Sequence, residues 1–252
     1  METLFQHFTK EEQPFVKMVV SLLGDVLQNS QVKTTSFLSI REQEIVKIII
    51  GKKANLVFDG GYDAAERKIA IISQYEIKST KQLVVVQLKY NSKFSNLSHG
   101  SILGALVASG IERNVIGDII VGEKTAYVVV ISRMLTYLQQ NISTIGKTTV
   151  ELLPVDAIME QKAESFREKT VFLKSLRIDA LLANALGFSR EVAKEHIKQR
   201  LVQKNWTSVT SYSEDFLFDD VISVRRYGRI YIDTVIAVKN NSKFKVSIRL
   251  TK

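Results

Sequence analysis

Residues 83–153 constrain the fold of this chain most, because strand-like and helix-like segments alternate there in a regular order. The sequence predicts a strand, a helix, two strands, a second helix and a last strand: Leu83–Leu88, Ser98–Ser109, Asp118–Val121, Ala126–Ile131, Arg133–Asn141 and Thr148–Leu153. This β-α-β-β-α-β order predicts a ferredoxin-like (RRM-like) domain over residues 79–158, in which two helices cover one face of an antiparallel sheet. RNA-recognition modules, enzymes and metal carriers share this topology, so topology alone favours a packing or docking domain.

Residues 1–78 are predicted to form an N-terminal region of helices and short strands. Apolar residues recur at three- and four-residue spacings up to Val26, which predicts a helix with Pro14 as a boundary or kink. Ser39 and Glu42 match a capping box, which predicts the start of a second helix. Two apolar segments then predict strands, Leu56–Phe58 and Ile69–Ile72. The overall fold class is therefore expected to be α+β.

Positive charge is concentrated in the last third of the chain. The whole sequence has 35 Lys and Arg against 26 Asp and Glu, a formal net charge of +9. Residues 162–252 contain 18 Lys and Arg and 10 Asp and Glu, a net charge of +8, whereas the first 161 residues carry +1. This imbalance predicts that the C-terminal part binds a polyanion, with nucleic acid as the first candidate and an anionic membrane surface as the second.

The sequence contains no recognisable enzyme motif. It has no cysteine, which excludes disulfides, zinc–thiolate sites and cysteine nucleophiles. Its three histidines, His7, His99 and His196, are isolated and do not form a metal-binding pattern. Nucleotide-binding glycine loops and nucleophile elbows are also absent. We therefore expect no catalytic residue, no metal and no cofactor. The lack of a signal peptide and of a membrane-spanning apolar run predicts a cytoplasmic protein without a membrane partner.

The C-terminal third is predicted to form a separate small domain. Residues 159–175 are polar and charged and are predicted to be a linker, and residues 176–252 are predicted to form a small α/β domain. An amphipathic helix is expected to end at Gly187, and Ser189 is expected to cap a second helix over residues 190–199. Three β-like segments follow: Leu201–Lys204, Val221–Val224 and Ile230–Val238.

The second of these helices has a row of cations, because Arg190, Lys194 and Lys198 are four residues apart. Such a row is also common on a helix face that is merely solvated. Here further cations follow it, together with Tyr227, whose ring can stack on a base or ribose, and guanidinium groups bind phosphate bidentately. This combination predicts RNA binding by nine residues: Arg190, Lys194, Lys198, Arg200, Lys204, Arg225, Arg226, Tyr227 and Arg229.

Several of these residues belong to an ordered series of short motifs. The series is Leu176-Arg177-Ile178-Asp179, Phe188-Ser189-Arg190, Ala193, Ile197, Val202, Asn205 and Asp220-Val221-Ile222-Ser223. It resembles the S-four type RNA-binding module, which is named after a small-subunit ribosomal protein, and departs from it at Arg200, Lys204 and Asp219. The resemblance implies that the helix pair and the following strands bind structured RNA, with Arg177 and Arg190 as leading phosphate contacts. It adds Arg177, Ser189 and Asn205 to the predicted RNA-binding residues, which are then twelve. The alternative is that Arg177 pairs with Asp179 and that Arg190 is solvated.

Motifs over nearly the whole chain are also typical of one family. They include Gln6-His7-Phe8, Phe58-Asp59-Gly60-Gly61-Tyr62, Ala65-Glu66-Arg67-Lys68, Leu97-Ser98-His99, Gly117-Asp118-Ile119, Asn205-Trp206 and Tyr227-Gly228-Arg229. Together they resemble the YlmH family, with Gly100 and Arg226 as departures from its pattern.

Resemblance to the YlmH family implies a bacterial, cytoplasmic and non-enzymatic RNA-binding protein. It implies binding to the rRNA of the large ribosomal subunit and to the tRNA still attached there, in ribosome-associated quality control of stalled nascent chains. We expect the protein to be a monomer. Two alternatives stay open at this point: an accessory or modification factor for RNA, and a factor linked to cell division and septum placement.

Overall fold

The computed structural model describes residues 6, 8–77, 81–93, 95–158, 166–238 and 243–251. Helices and antiparallel sheets are both present, which confirms the predicted α+β class. The chain divides into two compact units, residues 1–162 and residues 163–252.

The first part of the first unit is a helix pair packed on a small sheet. Its elements are α1 (Gln13–Asn29), β1 (Lys33–Thr34), α2 (Ile40–Ile50), β2 (Asn55–Asp59) and β3 (Ile69–Ser73), and the sheet order is β1-β3-β2. Pro14 lies in the first turn of α1, where its missing N–H costs nothing, so it marks a boundary and not a kink. The predicted capping box is confirmed, since the Ser39 hydroxyl accepts from the Glu42 N–H and the Glu42 carboxylate accepts from the Ser39 N–H.

The rest of the first unit has the β-α-β-β-α-β order predicted from the sequence. Its elements are β4 (Leu83–Lys89), α3 (His99–Ala108), β5 (Ile116–Val121), β6 (Ala126–Ile131), α4 (Leu135–Asn141), β7 (Thr144–Ile145), β8 (Thr148–Thr149) and β9 (Glu151–Val155). The antiparallel sheet has the order β5-β6-β4-β9. Thr148 and Thr149 belong to a separate hairpin with β7, because Gly146 turns the chain at φ 60°, and the last strand of the sheet begins only at Glu151.

Both faces of this four-stranded sheet are covered. One face packs on α3 and α4, whose buried residues include Ile102, Leu106 and Leu138. The other face contributes Val85, Tyr127 and Val129 to a second core. Phe37 and two residues of β3, Ile69 and Ile71, complete this core. Tyr127 is only 1% exposed. The face that would offer it to a base is therefore closed by the N-terminal sheet.

The second unit is a six-stranded antiparallel sheet covered by two helices. Its elements are β10 (Phe166–Leu173), α5 (Ile178–Leu186), α6 (Arg190–Lys198), β11 (Val202–Lys204), β12 (Thr207–Ser208), β13 (Val221–Val224), β14 (Gly228–Val238) and β15 (Lys243–Thr251). The sheet order is β10-β15-β14-β13-β11-β12. The predicted caps are confirmed: Gly187 is left-handed at φ 75°, and the Ser189 hydroxyl accepts from the Val192 N–H.

The prediction of a linker over residues 159–175 is wrong for residues 166–173, which form β10. This strand pairs along its whole length with β15, from Phe166 opposite Thr251 to Leu173 opposite Phe244. Only Val171 and Leu173 of β10 are buried, and the remaining residues are mostly charged or polar. A strand with one solvated face and few apolar residues has a composition like that of a linker, so the sequence alone did not reveal it. Its backbone is nevertheless hydrogen-bonded to β15. The remainder of the expected linker that precedes it, residues 159–165, lies outside the described residues.

Candidate nucleic-acid interface

The helix pair of the second unit is held by one buried carboxylate. The Asp179 side chain, in the first turn of α5, is 0% exposed. Arg177 donates to it twice, from Nε to Oδ1 at 3.1 Å and from Nη2 to Oδ2 at 2.9 Å. Arg190, at the start of α6, places its Nη2 3.0 Å from the same Oδ2. Arg177 therefore pairs with Asp179, as the alternative to direct RNA contact expected. Arg190 contacts the same carboxylate and is not simply solvated, so that part of the alternative is wrong.

The cations of α6 extend from this cluster along the helix surface. Ala193 and Ile197 face the core, and Lys198 is exposed. The Lys194 Nζ lies 5.3 Å from the ring centroid of Tyr212, and the Arg177 guanidinium carbon lies 5.5 Å from it. Such distances allow cation–π attraction. A cleft of about 500 Å³ next to this ring is lined by Glu191, Lys194, Glu195, Ile197, Lys198, Arg200, Thr210 and Tyr212.

Tyr212 is a candidate that sequence reasoning missed. It lies in the loop between β12 and β13, and the residue is 50% exposed. The segment from Asn205 to Val224 contains no Lys or Arg, so nothing near Tyr212 in the sequence indicates a basic surface. Only the fold brings its ring to Arg177 and Lys194.

The turn between β13 and β14 presents the second set of cations. Arg225, Arg226 and Tyr227 are all exposed, and the Tyr227 N–H donates to the Val224 carbonyl at 2.9 Å, which closes the turn. Arg226 and Gly228 are both left-handed, at φ 73° and φ 89°. A side chain at position 228 would place its Cβ 2.5 Å from Thr251 Oγ1, so this position requires glycine.

Aromatic contacts join this turn to α6. The Phe188 ring centroid lies 4.8 Å from that of His196 on α6 and 4.8 Å from that of Tyr227. Tyr227 itself remains 48% exposed. A second cleft, of about 470 Å³, runs between the helix and the turn and is lined by Val192, Glu195, His196, Gln199, Leu201, Arg225, Arg226 and Tyr227. Because Glu195 borders both clefts, the helix row and the turn form one continuous surface.

Three of the twelve predicted residues have roles inside the fold. Ser189 caps α6. Lys204 forms an ion pair with Glu214 at 2.9 Å and donates to the Asp215 carbonyl. Asn205, left-handed at φ 47°, donates to Asp220 at 2.7 Å and accepts from the Val221 N–H. The cap of Ser189 was expected from the sequence. The roles of Lys204 and Asn205 were not, because their partners are ten or more residues away.

Four other predicted cations are open to a ligand. In the described part of the chain, no carboxylate oxygen lies within 4 Å of the charged nitrogens of Lys194, Lys198, Arg225 or Arg226. We call these four residues, together with Tyr227, the basic face. Arg200 is also exposed and borders the first cleft, and Arg229 begins β14 next to the turn.

Comparison with known proteins gives the family of the chain. The family model described as "Putative RNA-binding domain in YlmH" matches residues 78–158. The chain is 30% identical over 257 residues to "Ribosome-associated protein quality control protein P2" of Bacillus subtilis, with all of both sequences covered. The chain belongs to the YlmH family. A solved structure, "Cell division protein ylmH from Streptococcus pneumoniae", is 24% identical to this chain and superposes with a TM-score of 0.52. The match covers 59% of this chain and 93% of the solved chain. At this identity, the likeness shows the fold alone.

The matching family model covers the middle domain, from β4 to β9. The description "RNA-binding" therefore concerns that domain and not the basic face. The sheet face of this domain that carries Tyr127 is buried against the N-terminal sheet. None of the described helices is long and apolar enough to cross a membrane.

Proposed function

We propose that this YlmH-family protein is a cytoplasmic, non-enzymatic factor that binds the large ribosomal subunit as a monomer. It contacts rRNA and the tRNA of a stalled nascent chain and acts in ribosome-associated quality control. Similarity over the full length to a relative named as a ribosome-associated quality control protein supports the process. The description of the domain at residues 78–158 supports RNA as the ligand.

The observation that carries RNA binding is the basic face. It combines four cations on two neighbouring elements, none with a carboxylate oxygen of a described residue within 4 Å, with the half-exposed ring of Tyr227. Phosphate neutralisation by such cations supplies most of the sequence-independent affinity for RNA, and an aromatic ring adds stacking on an unpaired base. Electrostatic attraction to phosphate also agrees with the net charge of +8 in residues 162–252.

Within this proposal, Arg177 and Arg190 have a supporting role, whereas the sequence-based hypothesis made them the leading phosphate contacts. Both use their guanidinium groups on Asp179, so Arg190 joins the start of α6 to α5 and Arg177 adds a second cation to the same carboxylate. Each guanidinium has five N–H donors, so the remaining donors can still reach a phosphate. We propose that Lys194, Lys198 and the β13–β14 turn provide the main phosphate contacts and that Arg177 and Arg190 orient them.

Co-sedimentation tests this proposal directly. Purified full-length protein is mixed with large subunits carrying peptidyl-tRNA, with empty large subunits and with small subunits. We expect binding to be strongest for the first and weakest for small subunits. Replacing Arg225 and Arg226 by alanine should weaken binding to large subunits, while a control that removes two exposed lysines of the first unit, Lys10→Ala with Lys52→Ala, should not. Equal binding to both subunits, or equal losses for the variant and its control, would contradict the proposal.

A further inference from the structure

Two arginines of the first unit converge on one backbone carbonyl. Arg67, between β2 and β3, donates from Nε to the Ile116 carbonyl at 3.3 Å, and Arg113, between α3 and β5, donates from Nη1 to the same oxygen. Arg67 also donates to the Phe37 carbonyl at 3.1 Å, and Arg113 to the Gly117 carbonyl at 3.2 Å. Two guanidinium groups from sequence-distant segments are therefore held side by side.

One carboxylate that acts on this pair, that of Asp118, is already occupied by other donors. Asp118 Oδ2 accepts from the Tyr62 hydroxyl at 2.9 Å and from the Glu66 N–H at 2.7 Å, and Oδ1 accepts from the Arg67 N–H at 3.1 Å. Another acid in the vicinity, Glu42, uses its carboxylate on Ser39 in the capping box of α2. Among the described residues, no carboxylate oxygen lies within 4 Å of either guanidinium.

The surroundings of Arg113 and His99 are short of negative charge, whereas Arg67 is attracted by both Glu42 and Asp118. Burial first, and the Arg67 charge second, lower the pKa of Arg113 to about 10, and the attraction of Asp118 offsets them only in part. His99, the first residue of α3, has its pKa lowered by loss of hydration and then by the Arg113 charge. Both groups therefore experience more repulsion from neighbouring cations than attraction from Asp118. A bound anion would relieve this repulsion.

The pair also has hydrogen-bond donors to spare. Arg67 Nη1 and Arg113 Nε and Nη2 have no acceptor within the described part of the protein. No buried side-chain nitrogen or oxygen among the described residues lacks a partner, so these three nitrogens reach solvent. Forked guanidinium donors of this kind match the oxygens of a phosphate group.

We propose that Arg67 and Arg113 form a phosphate-binding site where the N-terminal region meets the middle domain, and that the phosphate belongs to an RNA backbone. The site rests on the proposed function, because it adds a second RNA contact to the basic face. Arg67 lies outside residues 78–158, so the domain matched by the family model contains only part of the site.

The histidine ring signals in the NMR spectrum of the full-length protein test this site. Three histidines are present, and His99→Asn assigns the signal of His99. Inorganic phosphate and a short single-stranded RNA are titrated separately at constant ionic strength. We expect both to shift the His99 signals, and we expect Arg113→Gln to raise the apparent Kd for RNA at His99 about tenfold, on the scale of a lost charged contact. Arg133→Gln, an exposed arginine of the same domain, serves as the control.

Each other outcome has a distinct meaning. If RNA shifts the His196 signals but leaves those of His99 unchanged, this site is refuted and the basic face is unaffected. If phosphate but not RNA shifts the His99 signals, the assignment to RNA is refuted. If RNA binds nowhere on the chain, the proposed function itself fails. Arg113→Lys, which keeps the charge, replaces Arg113→Gln if the latter lowers the melting temperature, and it should retain part of the affinity.

Discussion

Both units contain an aspartate with two arginines, and the two arrangements use the same groups in opposite ways. In the second unit the carboxylate of Asp179 lies between the guanidinium groups of Arg177 and Arg190 and neutralises both. In the first unit the carboxylate of Asp118 accepts from a phenol and two backbone N–H groups, and the arginines bond to carbonyl oxygens instead. Where a carboxylate neutralises the arginines they act as structural groups, and where it does not they remain available to an anion.

The largest expected effect comes from breaking the cluster of the second unit. Arg177→Ala with Arg190→Ala leaves Asp179 buried without a cation, so the free energy of unfolding of this unit should fall by about 3–5 kcal/mol. The single tryptophan, Trp206, lies in this unit, so urea unfolding followed by tryptophan fluorescence measures the loss. Adding Asp179→Asn to the double variant should restore part of the stability. Unchanged unfolding of the double variant would show that the carboxylate does not need its partners.

Removing the aspartate of the first unit should cost less. Asp118→Ala deprives the Tyr62 hydroxyl and the N–H groups of Glu66 and Arg67 of their acceptor. Hydrogen bonds to charged groups are worth about 1.5–3 kcal/mol, and we expect a loss at the upper end because three donors share one carboxylate. Hydrogen exchange should show faster exchange at the Glu66 and Arg67 amides. Protection equal to that of the original protein would contradict this role of Asp118.

The turn of the basic face offers a smaller test with a matched control. Gly228→Ala introduces both a left-handed residue and a contact of 2.5 Å with Thr251 Oγ1, and should destabilise the second unit by about 1–3 kcal/mol. Gly187→Ala has a similar φ of 75° but no atom within 4 Å of the new Cβ, so it should cost only about 1–2 kcal/mol. Equal losses in urea unfolding would mean that the contact with β15 is unimportant.

The smallest effect concerns pH. The pKa of His99 is lowered in the folded protein, so the unfolded chain binds the proton more tightly. The contribution of neutral His99 to stability is therefore present above a pH of about 6.5 and is lost as the pH falls toward the lowered pKa. The melting temperature of the first unit should decrease between pH 8 and pH 5 more in the original protein than in His99→Asn. Phosphate should reduce this difference, and identical decreases would contradict the lowered pKa.

Sequence reasoning succeeded where local pattern and core agree. The capping box of Ser39 and the β-α-β-β-α-β order follow from short-range spacing, and the structure has both. It failed for β10, because only two residues of this strand enter the core. It also missed β15, because the charged residues Lys243, Lys245 and Arg249 obscure the strand pattern in the sequence.

The candidate site was only partly predictable for a different reason. Helical spacing places Lys194 and Lys198 on one face. No spacing rule shows that Tyr212 contacts Lys194, or that Arg67 and Arg113 share one carbonyl, 46 residues apart in the sequence. Such contacts depend on how the strands and loops are arranged, which local patterns do not determine.

The salt dependence of RNA binding tests the central claim, that the basic face binds phosphate. Affinity of the full-length protein for a large-subunit rRNA fragment is measured at several salt concentrations. Alanine at Lys194, Lys198, Arg225 and Arg226 should make the slope of log affinity against log salt shallower by about one unit for each lost contact. Alanine at Lys10 and Lys52 should leave it unchanged. A slope that is the same in all three proteins would contradict the account.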